Sequence, residues 1–562
     1  MQKRTVASPL LGLRCLKTAI LCLFLAQAAV VVQAQVRILD TANESDVAIQ
    51  QILDFGKGLE RDRRWSDALT HYEGALRDNP GRPDIQQRLT VSRIHFDLAR
   101  RYSDSSYLAS LRTLNEEEAL DLYSELLTKI YTHYFESPNW QRLVRRGTDN
   151  VIVALTDPVF ADRHLPHASR EHVVAFRHEL SRFMDARQIR NRQEARTAVG
   201  SAGRLAAQRL RLRSSVVAME YVCGATGALD DYSAFLTSAQ LDDVYSQIEG
   251  NFVGLGIELQ ASEGNLLIVN VLSNSPAFRN DIRSGDRIIE VDGQPIRDVT
   301  TDQAADMLKG EEGSLVDLVL LSPNNETRRI RVRRQQVDVP SIEDVKMLDP
   351  EAGIGFMCLT SFQKTTSRDV DAALWELHRL GMRSLIIDVR NNPGGLLSAS
   401  VEVADKFVQH GTVVATRGRS PREDFDYKAH SAGTWPVPLI VLVDGDSASA
   451  SEIFAAAIRD HRRGIIVGQR SYGKGSVQGI FPLNYASAGI RLTTARFYSP
   501  SGHPISKVGV SPDVVVHHAT GPANDTSPRL GTNSDDPVIA AGIQAARHQL
   551  ATARRYKTDG VR

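Results

Sequence analysis

The sequence predicts a multidomain α+β protein, on three observations. The chain has 562 residues, too many for one hydrophobic core. Helical periodicity runs through most of the residues up to about 240. Beyond Pro340, near-continuous apolar runs alternate with helical stretches, the pattern of a parallel sheet covered on both faces. Composition agrees: 42% hydrophobic and 24% charged residues are ordinary for globular domains. Lys plus Arg and Asp plus Glu are both 67, so no net field draws in nucleic acid or an anionic membrane, and no nucleic-acid partner is expected.

Lys3, Arg4, Arg14 and Lys17 precede an apolar run from Ala19 to Val32, and Val32-Gln33-Ala34 offers a small-residue cleavage site. Residues 1–34 read as a secretory signal peptide, because the run is short for a span needing about 20 apolar residues. Membrane association is expected only if this leader stays attached. Of the four cysteines, Cys15 and Cys22 leave with it. The remaining pair, Cys223 and Cys358, makes no disulfide framework and reads as two buried thiols.

In residues 35–104 the spacing of Gly56, Ala68, Tyr72, Ala75 and Pro80 resembles one tetratricopeptide repeat, a helical hairpin whose small residues let two helices approach. One repeat cannot bury its own face, so it must pack on the helices that follow from Pro83; an adaptor partner is possible at this surface. Residues 105–244 read as a helical lead-in, clearest at Glu118–Tyr131 and Arg170–Ala186. His164, His167 and His172 lie close together there without a completing carboxylate pattern, and read as solvated surface and not as a zinc site.

Between 245 and 335 the texture changes to short alternating strands broken by Gly, Pro and Asn. Gly254-Leu255-Gly256, Ser275-Pro276-Ala277, Ser284-Gly285-Asp286, Val291-Asp292-Gly293 and an apolar helix near Ala304–Leu308, closed by Gly310, resemble a PDZ domain. That resemblance implies a peptide C-terminus whose carboxylate meets the amides of Leu255, Gly256 and Ile257 while the peptide adds a strand to the sheet edge. Asn280-Asp281 stands where that family often has a small residue followed by glycine.

In the last large segment, 340–515, the apolar runs Ser384–Val389, Leu439–Val443 and Ile465–Val467 predict buried parallel strands, with the active site where strands end and helices begin. The second run leads into Asp444-Gly445-Asp446-Ser447-Ala448-Ser449-Ala450-Ser451-Glu452 and then an apolar helix. Ser449 and Glu452 have the spacing of a capping box, which places Ser449 or a close neighbour at a helix N-terminus, where N–H groups can stabilise an oxyanion. A serine needs a base to be a useful nucleophile at neutral pH. Lys474, flanked by Gly473 and Gly475 just after the third strand, can serve if burial or nearby positive charge disfavours its ammonium form. Gly468–Lys474 also spells G-x-x-x-x-G-K, but Gly475 stands where a phosphate-binding loop needs Ser or Thr, so no nucleotide is expected.

Ser447–Glu452, Gly473–Gln478 and Asp388-Val389-Arg390-Asn391-Asn392-Pro393-Gly394-Gly395 together resemble the carboxyl-terminal processing, or tail-specific, peptidases. The likeness extends to Leu229-Asp230-Asp231-Tyr232-Ser233, Tyr498-Ser499-Pro500-Ser501-Gly502 and Gly509-Val510-Ser511-Pro512-Asp513, about 300 residues in order. It implies an α/β crotonase/ClpP-like protease core with an inserted PDZ domain. It further implies Ser449 as nucleophile, Lys474 as general base, Gln478 orienting the lysine through its amide, and the backbone N–H groups of Gly395 and Ala450 as the oxyanion hole. No cofactor and no metal are implied. His461 need not be recruited and reads as a surface residue. Residues 516–535 read as a polar linker and Pro537–Arg555 as a terminal helix. The functional expectation is an exported serine endopeptidase that takes unfolded or tailed protein substrates, periplasmic or extracellular in a bacterium. The alternative is a PDZ and repeat scaffold with a silent peptidase core.

Overall fold

The computed structural model describes residues 47–262, 265–296, 307–430, 432–516 and 536–559. The expected leader, most of the expected linker and Ala304 lie outside them. Among the described residues no helix is long and apolar enough to cross a membrane.

The chain opens as a helical hairpin, 47–61 and Trp65–Asp78, followed by the long helix Pro83–Ser103. Ala68, Tyr72 and Ala75, three positions expected at the hairpin contact, are all buried. The Tyr72 hydroxyl donates to Glu60 at 2.9 Å, which satisfies a phenol that would otherwise be buried without a partner. Helices continue through Ser214–Gly227, and the two expected ones are present as Glu116–His133 and Arg170–Asp185. The first is closed at its N-terminus by a reciprocal Asn115–Glu118 cap. His164 is half-buried and not solvated: it packs on Phe160 and meets the Tyr102 hydroxyl at 3.1 Å, and burial pushes its imidazole down to about 4. His461 is likewise half-buried, with Nε2 2.7 Å from the Thr412 carbonyl. Both are apolar-bodied rings whose polar edge found a partner, which spacing alone cannot reveal. Cys358 is buried and Cys223 partly so; both thiols are free and burial holds both at about 12.

The helical lead-in does not stand apart from the segment 340–515. Its apolar core runs on into Leu483, Ala488, Ile490 and Leu492. Ala234–Leu236, just before the PDZ segment, pairs antiparallel with Gly489–Arg491 of the long strand Gly489–Tyr498. Sequence texture changes at residue 245, but packing joins the two sides.

The PDZ segment forms a sheet in the order Ile257–Ser262, Asn265–Val271, Arg287–Val291, Leu315–Leu321, Thr327–Arg333, which leaves Ile257–Ser262 as an edge strand. A two-stranded neck, Asn251–Gly254 against Gln335–Asp338, joins it to the rest. The turn at Asn280-Asp281 is resolved by Asp281 taking a left-handed φ of 57°, the conformation glycine adopts at no cost.

The catalytic region has two sheets. The first runs Ile342–Asp349, Ile354–Leu359, Ser384–Asp388, Leu439–Val443, Gly464–Gly468, Val514–Val515, parallel except for its antiparallel first strand. The three predicted apolar runs are its centre. The second sheet contains Ser476–Pro482 and Gly489–Tyr498. The terminal helix Pro537–Asp559 covers the first sheet, with Val538, Ile539 and Ala546 packed among Ile386, Ile440 and Leu442. It is pinned by Asp536, which takes an ion pair from Arg390 Nη1 at 2.8 Å, while Arg390 also grips Asp388.

Candidate active site

Three loops meet at the C-terminal ends of the parallel strands, as expected for a sheet of this kind. After Leu439–Val443 the chain turns through Ser449 into the helix Ala450–Asp460. After Ser384–Asp388 it forms the Asn391–Gly395 loop, and after Gly464–Gly468 the Ser471–Gly475 loop.

The serine triplet is chemically divided. Ser447 and Ser451 are fully buried, and their hydroxyls donate at 2.8 and 2.9 Å to the carbonyls of Val389 and Asn392. The Ala448 amide reaches the same Asn392 carbonyl at 3.0 Å. These bonds fasten the Ser447–Ser451 turn to the segment that carries the glycine loop. The Ser449 hydroxyl, between them, donates to no group among the described residues. Ser449 also has φ 56° and ψ −112°, a strained conformation for a side-chain-bearing residue, worth on the order of 1–3 kcal/mol and found where the surroundings enforce it. Of its expected cap with Glu452 one half stands: the Ser449 amide donates to Glu452 Oε2 at 2.9 Å, while the Glu452 amide goes to the Ser449 carbonyl at 2.9 Å and no cap bond reaches the hydroxyl.

Gly394 lies directly against this turn. A Cβ built on it would stand 2.8 Å from Ser449 Cβ and 2.9 Å from Ala450 N, so only glycine permits the approach. The amides of Gly395 and Ala450, the expected oxyanion hole, donate to no acceptor among the described residues. Asn392, fully buried, shapes the loop: its Nδ2 donates to the Leu359 carbonyl at 2.7 Å and its Oδ1 accepts from Gly394 N at 2.8 Å.

Glu452 does more than cap a helix. It is fully buried, and its carboxylate accepts from Ser449 N at 2.9 Å, Ser471 Oγ at 2.6 Å, Gly473 N at 2.7 Å and Lys474 N at 2.8 Å. Burial raises its carboxyl above the usual range, and those four bonds offset only part of that rise. Sequence reasoning saw only its cap; the available signal was a lone carboxylate in the otherwise apolar run after Ser451.

Lys474 is half-buried. Burial chiefly, and the Arg491 cation next, lower its ammonium from the ordinary 10.5, with Glu452 opposing. Its Nζ stands 5.2 Å from the Tyr232 ring centroid and makes no hydrogen bond or ion pair among the described residues. The amine therefore does not touch Ser449 in this conformation. Gln478, expected to orient it, instead donates from Nε2 to Ser476 Oγ at 3.1 Å and Thr493 Oγ1 at 3.2 Å. The ladder between the two long strands shifts register at Val477/Gln478, which re-aims that side chain toward its own sheet. The Gly468–Lys474 loop opens into the strand Ser476–Pro482 and not into a helix, so it lacks the helix N-terminus of a phosphate cradle.

A cleft of about 720 Å³ lies beside the glycine loop and Lys474, and Ser449 is not among its lining residues. It is lined at one end by Gly394, Gly395 and Lys474 and at the other by Leu255, Gly256, Ile257, Leu259 and Leu308 of the PDZ segment. The expected tail-binding loop thus shares one cavity with the glycine loop and Lys474.

Comparison with known proteins agrees. The profile of Peptidase family S41 matches residues 353–516, and that of the PDZ domain residues 245–321. A carboxy-terminal-processing protease of Bartonella bacilliformis is 35% identical over 299 residues, 51% of this chain and 67% of that protein. The chain belongs to the carboxyl-terminal-processing peptidases. A carboxyl-terminal-processing protease of Picosynechococcus is 33% identical, covering 54% of this chain and 74% of the relative. The chloroplastic carboxyl-terminal-processing peptidase 3 of Arabidopsis thaliana is 31% identical, covering 58% and 66%. As a member of this family the protein is a serine-type peptidase with a PDZ domain, and peptide or protein chains are its substrates.

Proposed function

We propose that the protein is an exported endopeptidase that captures the C-terminal tail of an unfolded protein at its PDZ domain and cleaves upstream with a Ser449–Lys474 pair. The observation that carries this reading is the division of the serine triplet: two hydroxyls are spent on the glycine loop and only that of Ser449 is available, beside two unused amides.

Lys474, as the free amine, takes the Ser449 hydroxyl proton as Oγ attacks the peptide carbonyl. The carbonyl oxygen becomes an oxyanion, received by the N–H groups of Gly395 and Ala450. Lys474 then gives the proton to the departing amine, and water, deprotonated by the same lysine, releases the acyl group. The glycine-flanked backbone of Lys474 is fixed by Glu452, so on this reading the amine approaches Ser449 by rotation of the lysine stem. On this reading Gln478 turns from Ser476 and Thr493, which its Nε2 now contacts, and its Oε1 accepts from the amine in that engaged position.

A tail adds as a strand beside the edge Ile257–Ser262, with its carboxylate on the Leu255, Gly256 and Ile257 amides and apolar side chains against Leu259 and Leu308. The cleft then leads the chain toward Gly395. Export rests on the signal-like residues 1–34 and is tested by N-terminal sequencing of the mature protein, expected to start at Gln35. The hairpin at 47–78 is an adaptor surface on this reading. The function is tested by digesting an unfolded protein that ends in an apolar tail, with a free or an amidated terminus: cleavage should require Ser449 and Lys474 and should slow on amidation. Cleavage that survives Lys474→Ala contradicts the mechanism, and indifference to amidation contradicts tail capture.

A further inference from the structure

We propose that Tyr232 is a positioning residue for Lys474, its ring face holding the amine at the edge of the cleft. The proposal rests on the reading of Lys474 as general base.

Both ends of this contact are built, and only the lysine stem between them is free. Tyr232 lies just before the strand Ala234–Leu236, in a segment fixed from three directions. Asp230 Oδ1 accepts from the amides of Tyr232 and Ser233 at 3.0 and 2.7 Å. Arg491 Nε donates to the Tyr232 carbonyl at 2.9 Å. The Thr493 amide donates to Ser233 Oγ at 3.3 Å. On the other side the Lys474 amide is bound to Glu452, and Gly475 lets the loop press on Ser506, whose amide nitrogen a Cβ there would approach to 2.2 Å. The lysine stem spans the gap, and Nζ rests 5.2 Å from the ring centroid, inside the range of a cation–π contact. No carboxylate or carbonyl competes for Nζ among the described residues, so the ring is its only partner there.

The charges facing this pair come from several elements. Arg491 disfavours the ammonium and Glu452 favours it. Burial chiefly, and then the charges of Tyr472, Asp231, Asp230 and Glu452, hold the Tyr232 hydroxyl protonated above its usual range. The ring is therefore a neutral π face at working pH. It attracts the protonated amine and releases the neutral one, which has no charge for the quadrupole to hold. Deprotonation and disengagement toward Ser449 are thus coupled. An ion pair at the same place would hold the amine more tightly and raise its pKa, which a general base cannot tolerate.

The test is the pH dependence of kcat and of kcat/KM for a quenched peptide with a free apolar C-terminus, on the mature full chain. Removing the ring in Tyr232→Leu takes away a contact that favours the ammonium, so the acid limb should move to lower pH by about half a unit. The plateau kcat should fall on the order of tenfold as the amine loses its defined position, with KM unchanged. Tyr232→Phe keeps the ring and should keep both limb and plateau within about twofold. If the leucine variant does not fold, Tyr232→Trp serves, its stronger π face moving the limb upward. A limb that stays at the wild-type pH in the leucine or tryptophan variant overturns the proposal, as does Tyr232→Phe losing as much as Tyr232→Leu. Full activity of Lys474→Ala overturns instead the base assignment on which it rests.

Discussion

The backbone amides of Ser449 and Lys474 converge on one carboxylate oxygen, Glu452 Oε2, at 2.9 and 2.8 Å. The proposed nucleophile and base sit 25 positions apart in the chain, on loops following different strands, and this oxygen fixes the distance between their backbones. Oε1 adds Ser471 Oγ and the Gly473 amide. Replacing Glu452 with Leu leaves these buried donors without an acceptor, at about 1–3 kcal/mol each where water cannot reach. Urea unfolding should show a loss of several kcal/mol, and the folded fraction should cleave poorly. Unchanged stability would mean that the two loops are held by something else.

The serines of the triplet should respond in opposite ways. Ser447→Ala and Ser451→Ala each remove a buried hydroxyl bonded to a carbonyl, a loss of roughly 1–2 kcal/mol, and should lower the melting temperature while the folded enzyme still cleaves. Ser449→Ala should leave the melting temperature close to wild type and abolish cleavage. Equal thermal losses across the three variants would contradict the division of roles.

The pH profile follows from the environment of Lys474. Its ammonium is destabilised by burial and by Arg491, so the free amine forms below the ordinary lysine value of 10.5. Activity should rise with pH along a limb lying below that value. Arg491→Met removes a cation that disfavours the ammonium; the lysine pKa rises and the limb must move to higher pH. Movement to lower pH would show that Arg491 acts on Lys474 chiefly through the Tyr232 carbonyl it holds.

Much of this site was legible in the sequence, and the parts that were not share a cause. The parallel strands announce themselves because strands buried on both faces read as apolar runs, as at Leu439–Val443. Ser449 was placed by a cap, which is a local signal. The partners of Glu452, the Tyr232 ring over Lys474 and the turning of Gln478 toward Thr493 are contacts between segments far apart in sequence. No periodicity carries them. The same holds for the helical lead-in: its amphipathic pattern predicts an apolar face but not that Ile490 and Leu492 cover it. The family likeness supplied roles for Gln478 and the glycine loop; for Gln478 the hydrogen bonds found differ from the one implied.

Tail capture makes a separable prediction at the PDZ edge. Leu259 lines the cleft from the edge strand. Leu259→Asp sets a charge against an apolar tail and should raise KM for a tailed substrate on the order of tenfold, consistent with about 1.4 kcal/mol per decade, with kcat unchanged for a short untailed peptide. An equal effect on both substrates would locate the residue's role in folding and not in recognition.

The terminal helix is tied to the active-site loop by Arg390, which bridges Asp388 and Asp536. Arg390→Ala would leave Asp388, 4% exposed, without its cation, a change that costs about 3–5 kcal/mol at buried pairs. Hydrogen exchange should show faster opening of 536–550 together with the 391–395 loop. Faster exchange of the helix alone would mean that the loop is independent of it.

The most direct measurement is the mass of the acyl-enzyme. A tailed ester or peptide substrate is mixed with the mature enzyme, quenched in acid within one turnover, and the digested protein is analysed for the modified residue. Acylation on the peptide carrying Ser449, absent in Ser449→Ala and in Lys474→Ala, is the result this account predicts. An acyl group on any other residue, or turnover in Ser449→Ala, would contradict it.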